Sequence, residues 1–158
     1  MVNKTLKELI LTTNIIPRHG TVFPGKAIKV NTSLIKINLK IISQEMETLD
    51  PIIDALRYNT SINDIDLSIN CISESAQEVF GEVLKENKIL NKINLSRLNL
   101  SSNGIKSITQ DLESNKSVEV LPLAYCQIKA KSTIEISKAL KVNCTLTELD
   151  LSHQLERR

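Results

Sequence analysis

Asparagine stands at positions 3, 31, 59, 87, 115 and 143, a spacing of 28 residues without a slip. A fixed period of this length constrains a fold more tightly than composition can. Each period must form one supersecondary unit that buries its apolar side against copies of itself. The register extends beyond the asparagines. Three residues on stand Leu6, Leu34, Ile62, Leu90, Val118 and Leu146. Six on stand Leu9, Ile37, Ile65, Ile93, Leu121 and Leu149, and eight on Leu11, Leu39, Leu67, Leu95, Leu123 and Leu151.

The resulting L-x-x-L-x-L ends in period-2 alternation, which marks a short strand with one buried face. The second half of the unit changes to helical spacing, as in Val79, Phe80, Val83 and Leu84, or Ile136, Ala139 and Leu140. Ser75 with Glu78, and Ser132 with Glu135, read as capping boxes, and Asp50-Pro51 as an N-cap followed by a first-turn proline. The periodic asparagines fall just after the helices, where a left-handed residue is expected and Asn tolerates that conformation. This structural job covers most of the seven N-x-[ST] sequons, so they carry no implication of glycosylation. The predicted fold is of the α/β class, a right-handed solenoid arc. Six parallel strands line the concave side, centred near 9, 37, 65, 93, 121 and 149, and five helices form the convex side. One repeat domain over 1–158, with units starting near each periodic Asn, is expected.

Composition agrees. Leu and Ile supply 21 residues each, with no Trp, two Tyr and two Phe, so the core is built from branched aliphatics. Lys+Arg number 20 against 18 Asp+Glu, a net charge of +2, which gives no electrostatic case for nucleic acid. Only four Gly are present, and no phosphate-binding glycine loop can be found. No run reaches the ~18 apolar residues of a membrane span, and Lys4, Lys7 and Glu8 interrupt any leader-like start. Three cysteines, Cys71, Cys126 and Cys144, lack C-x-x-C spacing and suit a reducing, cytoplasmic compartment.

The chain resembles leucine-rich repeat proteins of the ribonuclease-inhibitor-like subclass, whose units run L-x-x-L-x-L-x-x-N/C-x-L and then a helix. Leu146-Thr-Glu-Leu149-Asp-Leu151 carries the pattern, as does Ile62-Asn-Asp-Ile65-Asp-Leu67-Ser-Ile-Asn70-Cys-Ile72. The position usually held by Asn or Cys reads Asn14, Ile42, Asn70, Leu98, Cys126 and Gln154, so the turns at Ile42 and Leu98 must find other hydrogen-bond partners. The Ile-, Lys- and Asn-rich composition also looks like that of secreted effectors of intracellular bacteria, which would place the chain in a host cytosol.

Catalytic chemistry has little to draw on. A Ser/His/Asp or Cys/His/Asp arrangement would have to use His19 or His153; neighbouring fifth and sixth strands would bring Cys126, His153 and Asp150 close, yet Cys126 occupies an inward slot where an inert thiol is expected. No cluster has metal-ligand spacing, and neither metal nor cofactor is expected. The reading is therefore a non-enzymatic module that binds, and occludes or inhibits, another protein. The alternatives are a regulator of a GTPase or other enzyme acting through Arg97, and a repeat fragment of a larger receptor.

The candidate face is the concave sheet. Five residues beyond each Asn stand Glu8, Lys36, Asp64, Lys92, Val120 and Glu148, whose alternating signs read first as cross-strand pairing. Seven beyond stand Ile10, Asn38, Asp66, Asn94, Pro122 and Asp150, suited to hydrogen bonding a partner, with Pro122 expected to break the ladder locally. Ten beyond stand Thr13, Ile41, Ile69, Arg97, Tyr125 and His153, a composition enriched in interface hot spots. Lys36, Ile41, Asp66, Ile69, Asn94, Arg97, Tyr125, Asp150 and His153 are the candidate contact residues. Uncapped end strands also raise the expectation of self-association, a swapped end, or coverage by further chain.

Overall fold

The structure, a computed structural model, describes residues 3–42 and 49–154, without the side chains of Arg18 and His19. Residues 1–2, 43–48 and 155–158 of the expected 1–158 domain lie outside the described residues. Strands β1 (Glu8–Ile10), β2 (Lys36–Asn38), β3 (Asp64–Asp66), β4 (Lys92–Asn94), β5 (Val120–Pro122) and β6 (Glu148–Asp150) alternate with helices. These are α1 (Val22–Val30, entered through a 3-10 turn), α2 (Asp50–Leu56), α3 (Glu74–Glu86), α4 (Ser102–Leu112) and α5 (Ala130–Val142). The strands form one parallel sheet in sequence order. Paired residues stand 28 positions apart, as Leu9 with Ile37 and Ile65 with Ile93. Consecutive helices pack on one another along the opposite side. This is the expected α/β solenoid, with the strands centred where the periodicity put them.

The core is the aliphatic comb. Ile37, Leu39, Ile65, Leu67, Ile93, Leu95, Leu121 and Leu123 are buried, and Phe80, Val83 and Leu84 of α3 pack against them. Leu140, placed on the helical stripe of α5 with Ile136 and Ala139, is instead exposed. The pairing of β4 with β5 shrinks to Lys92 opposite Val120, because Pro122 has no N–H to donate.

The periodic asparagines do something other than adopt a left-handed turn. Asn31, Asn87 and Asn143 have φ of −78°, −74° and −69° with extended ψ. The Asn59 amide donates to the carbonyls of Ile28 and Asn31 (2.7 and 2.9 Å), and the Asn87 amide to those of Leu56 and Asn59 (2.7 and 3.0 Å). Each side-chain oxygen accepts from the N–H groups two and three residues on, as Asn115 does from Ser117 and Val118 (2.9 and 2.7 Å). One side chain thus ends a helix two units back, ties on the preceding unit and starts its own strand. The hydroxyl two residues later joins in: Ser33, Ser61, Ser117 and Thr145 donate to the carbonyls of Asn3, Asn31, Asn87 and Asn115. Most of the sequons are therefore repeat-coupling hydrogen bonds.

The turns at Ile42 and Leu98 are served from the next unit. Asn70 accepts from the Ile42 N–H and donates to the Leu39 carbonyl, and the Cys126 thiol reaches the Leu95 carbonyl at 3.2 Å. Two predicted caps shift. Ser73 rather than Ser75 caps α3, accepting from the Ala76 N–H, and Lys129 occupies the N-cap of α5 while Ser132 lies within the helix. At α2 the N-cap is Leu49, with Asp50 and Pro51 in the first turn.

Among the described residues, β1 and β6 each pair on one side only. Leu6 is exposed and Leu9 and Leu11 are half-buried, whereas Leu34, Ile37 and Leu39 one unit on are buried. They border an apolar cavity of about 290 Å³ that also touches Ile28 and Asn31.

Two stability outcomes are expected. Leu95→Ala should cost about 2–5 kcal/mol in chemical denaturation as a core cavity. Asn115→Ala leaves several buried backbone groups without partners and should cost about 3 kcal/mol or more, while the exposed neighbour change Lys116→Ala should stay within about 0.5 kcal/mol.

Candidate functional site

The concave face resolves into three columns with different roles. In the column five beyond each Asn, the Lys36 ammonium lies 3.3 Å from Glu8 and 3.9 Å from Asp64. Hydrogen bonding to Glu8, then its charge and that of Asp64, raise the Lys36 pKa. These groups are largely exposed, and their value to the fold is small. The direction fixes the sign: the contribution is present below the unfolded lysine value of about 10.4 and is lost as pH rises through the raised one. Lys36 is thus committed to cross-strand pairing, as the alternation suggested.

The column seven beyond each Asn is committed as well. The side-chain oxygens of Asn38, Asp66, Asn94 and Asp150 accept from the N–H groups two residues on, at 3.0, 2.9, 3.0 and 2.8 Å. These Asx turns end the strands and start the bend. The Ser152 hydroxyl and N–H hold the Asp150 carboxyl below the usual carboxylate range. Asp66, Asn94 and Asp150 therefore shape the turn, each with one side-chain oxygen engaged by the backbone two residues on.

The turn delivers the third column. Thr13, Ile41, Ile69, Arg97, Tyr125 and His153 all have positive φ, between 55° and 61°. No glycine or asparagine occupies the column, and for β-branched Ile this conformation is a marked outlier costing about 1–2 kcal/mol. It persists because the backbone is bound on both sides of the strain. The N–H groups of Thr13, Ile69, Arg97 and Tyr125 donate to carbonyls of the next unit at 2.8–3.1 Å, and that of Ile41 does so at 3.3 Å.

The left-handed residue swings its side chain onto the rim between strand and turn, where successive units stack. Arg97 Cζ lies 4.4 Å from the Tyr125 ring centroid, and the Tyr125 and His153 rings stack at 4.4 Å with planes 8° apart. All three are exposed, Tyr125 by 42%, while Ile41 and Ile69 continue the column half-buried. Sequence reading put Arg97, Tyr125 and His153 on one edge but missed the left-handed backbone, for which the residue types give no signal.

The Cys126, His153 and Asp150 arrangement does not assemble. The thiol is inside, the ring is outside against Tyr125, and burial pushes the Cys126 pKa up to about 11. Among the described residues no cluster of His, Cys, Asp and Glu could hold a metal ion. No helix of these residues is long and apolar enough to cross a membrane. On the convex side Arg57 bridges from the end of α2 to Glu82 and Glu86 of α3 at 2.7 and 2.9 Å.

Thiol chemistry offers a check. At pH 8 a group of pKa about 11 is about 0.1% thiolate, so Cys126 should resist a disulfide reagent until the chain is unfolded. The exposed Cys144 should react promptly. Rapid labelling of Cys126 in the native protein would contradict its placement.

No family model matches the chain, and no curated protein matches it. Solved structures do. A leiomodin-1 domain described as actin-binding site 2 superposes with a TM-score of 0.73 at 16% identity, covering 88% of this chain and 81% of that one. The tropomodulin C-terminal domain of Caenorhabditis elegans gives 0.70 at 10% identity, covering 88% and 84%. At such identities the likeness is one of fold, a leucine-rich-repeat-like solenoid. Neither structure supports the ribonuclease-inhibitor-like subclass in particular, or a bacterial effector.

Proposed function

We propose that the chain is a protein-binding module that receives a partner on its concave face and rim, with Arg97, Tyr125 and His153 as the anchor and Ile41 and Ile69 as its apolar extension. The observation that carries this reading is the stack itself. Three large planar side chains are held, exposed and mutually ordered, on backbone that would be relaxed by glycine. Strain retained at an exposed position points to a use for the side chain. Stacking also lowers the ordering cost on association, because the rotamers are fixed beforehand. Lys36, Asp66, Asn94 and Asp150 frame the surface with polar groups, and the bound partner's own surface is occluded.

The leiomodin-1 domain is named for actin binding, so monomeric actin is the first partner to titrate. The expected result is that Tyr125→Ala and Arg97→Ala each weaken binding by about 2 kcal/mol or more, while the convex change Lys138→Ala leaves it unaltered. Where actin does not bind, the same variants are compared by quantitative capture, and the partner is the protein lost with Tyr125→Ala and retained with Lys138→Ala. Equal capture by all variants would move the contact off the rim.

A further inference from the structure

The two ends of the solenoid are the two halves of a contact that the chain makes repeatedly within itself. Between consecutive units the bonding follows one scheme. The Asn115 amide donates to the Leu84 carbonyl, and the Asn143 amide to those of Leu112 and Asn115. The N–H groups at the strand start donate to the unit before, as Glu119 and Val120 do to the Asn91 carbonyl at 2.8 and 3.1 Å. The N–H just past the strand donates to the unit after, as Leu123 does to the Asp150 carbonyl at 2.8 Å.

At the first unit the donors that reach backward, the Asn3 amide and the N–H groups of Lys7 and Glu8, have no acceptor among the described residues. At the last unit the matching acceptors, the carbonyls of Leu140, Asn143 and Thr147, likewise have no donor among them. The apolar side chains divide in the same way. Val118, Leu121 and Leu123 are at most 1% exposed, whereas their counterparts Leu146, Leu149 and Leu151 are half-buried. Leu140 of α5 is 45% exposed where its counterpart Leu112 is 3%. At the other end Leu6, Leu9, Leu11, Pro24 and Ala27 border the open apolar cavity, and Phe23 of α1 is 76% exposed.

We infer that the end face formed by β6 and α5 seats on the β1 and α1 face of a second copy, continuing the solenoid head to tail. The occupant follows from continuity with the contact between units. Asn3 of the second copy takes the place 28 positions beyond Asn143, so its amide meets the carbonyls of Leu140 and Asn143. The N–H groups of Lys7 and Glu8 then meet the Thr147 carbonyl, and the Leu151 N–H meets the Ile10 carbonyl. Between α3 and α4 the Ser107 backbone closes on Gly81; the same offset sets Phe23 opposite Ser137, again a small residue. The apolar cavity is filled by Leu146, Leu149 and Leu151. One pair opposes the union: Glu8 comes opposite Glu148, and like charges facing each other across strands are unfavourable. Association is therefore weak and concentration-dependent. Because unlike ends join, each added copy exposes a fresh end, and chains of copies form in place of a closed dimer.

The test is sedimentation equilibrium of the full chain up to about 1 mM. The mean mass should rise with concentration past that of a dimer. Phe23→Ser and Leu140→Lys lie at exposed positions and keep the fold, which circular dichroism checks. Each alone should weaken association about tenfold or more. An equimolar mixture of the two should restore it but stop at dimers, because one intact junction remains per pair. Glu148→Lys sets opposite charge against Glu8, as Lys36 does, and should tighten association about threefold. A monomer at every concentration would overturn the assignment. So would either blocked variant associating as the unaltered chain does, which marks a joint between like ends. A mixture no tighter than its components, or no tightening in Glu148→Lys, would overturn it as well.

Discussion

The Asn side chain at the start of each unit is the contact on which the rest depends. Its amide reaches back to a helix end and to the preceding unit, and its oxygen fixes the first turn of its own strand. Asn59, Asn87 and Asn115 do this while buried, so removing one leaves backbone groups that water cannot reach. A shift of one residue anywhere between two such asparagines would place Leu and Ile on the solvent side of the strand. The 28-residue period is therefore a hydrogen-bonding constraint as much as a hydrophobic one.

From this constraint the candidate surface follows. Register lock brings residues 28 apart into line along the sheet. The Asx turns at Asn38, Asp66, Asn94 and Asp150 end four of the six strands at the same point. The chain then bends through a left-handed residue, and the side chain at that residue stands on the rim. Arg97, Tyr125 and His153 meet because they are equivalent residues of consecutive units, not because any pairwise preference assembled them from a distance. Their cation–π and ring-stacking contacts add order to a placement the backbone has already made.

Much of this was legible in the sequence. The strand centres, the aliphatic comb, the Lys36 pairing and the break at Pro122 follow from period and residue type. Two features were not. The periodic Asn looked like a helix-ending left-handed residue because Asn tolerates that conformation, but its value here is a side chain with two donors and a good acceptor, which serves extended backbone equally well. The true left-handed position holds Thr, Ile, Ile, Arg, Tyr and His, residues whose local preference argues against it, so tertiary hydrogen bonding overrides propensity there. The caps failed for a related reason: Ser75 and Ser132 have suitable spacing to a glutamate, but the turn geometry starts the helices elsewhere.

The central claim is that the repeat register delivers a preassembled stack at the rim, before any partner arrives. Proton NMR of the His153 ring in the free protein tests it directly. A ring lying parallel to Tyr125 at 4.4 Å should show upfield ring-current shifts that disappear in Tyr125→Leu while the fold is retained. Ordinary unshifted imidazole resonances in the native chain, unchanged by that substitution, would contradict it.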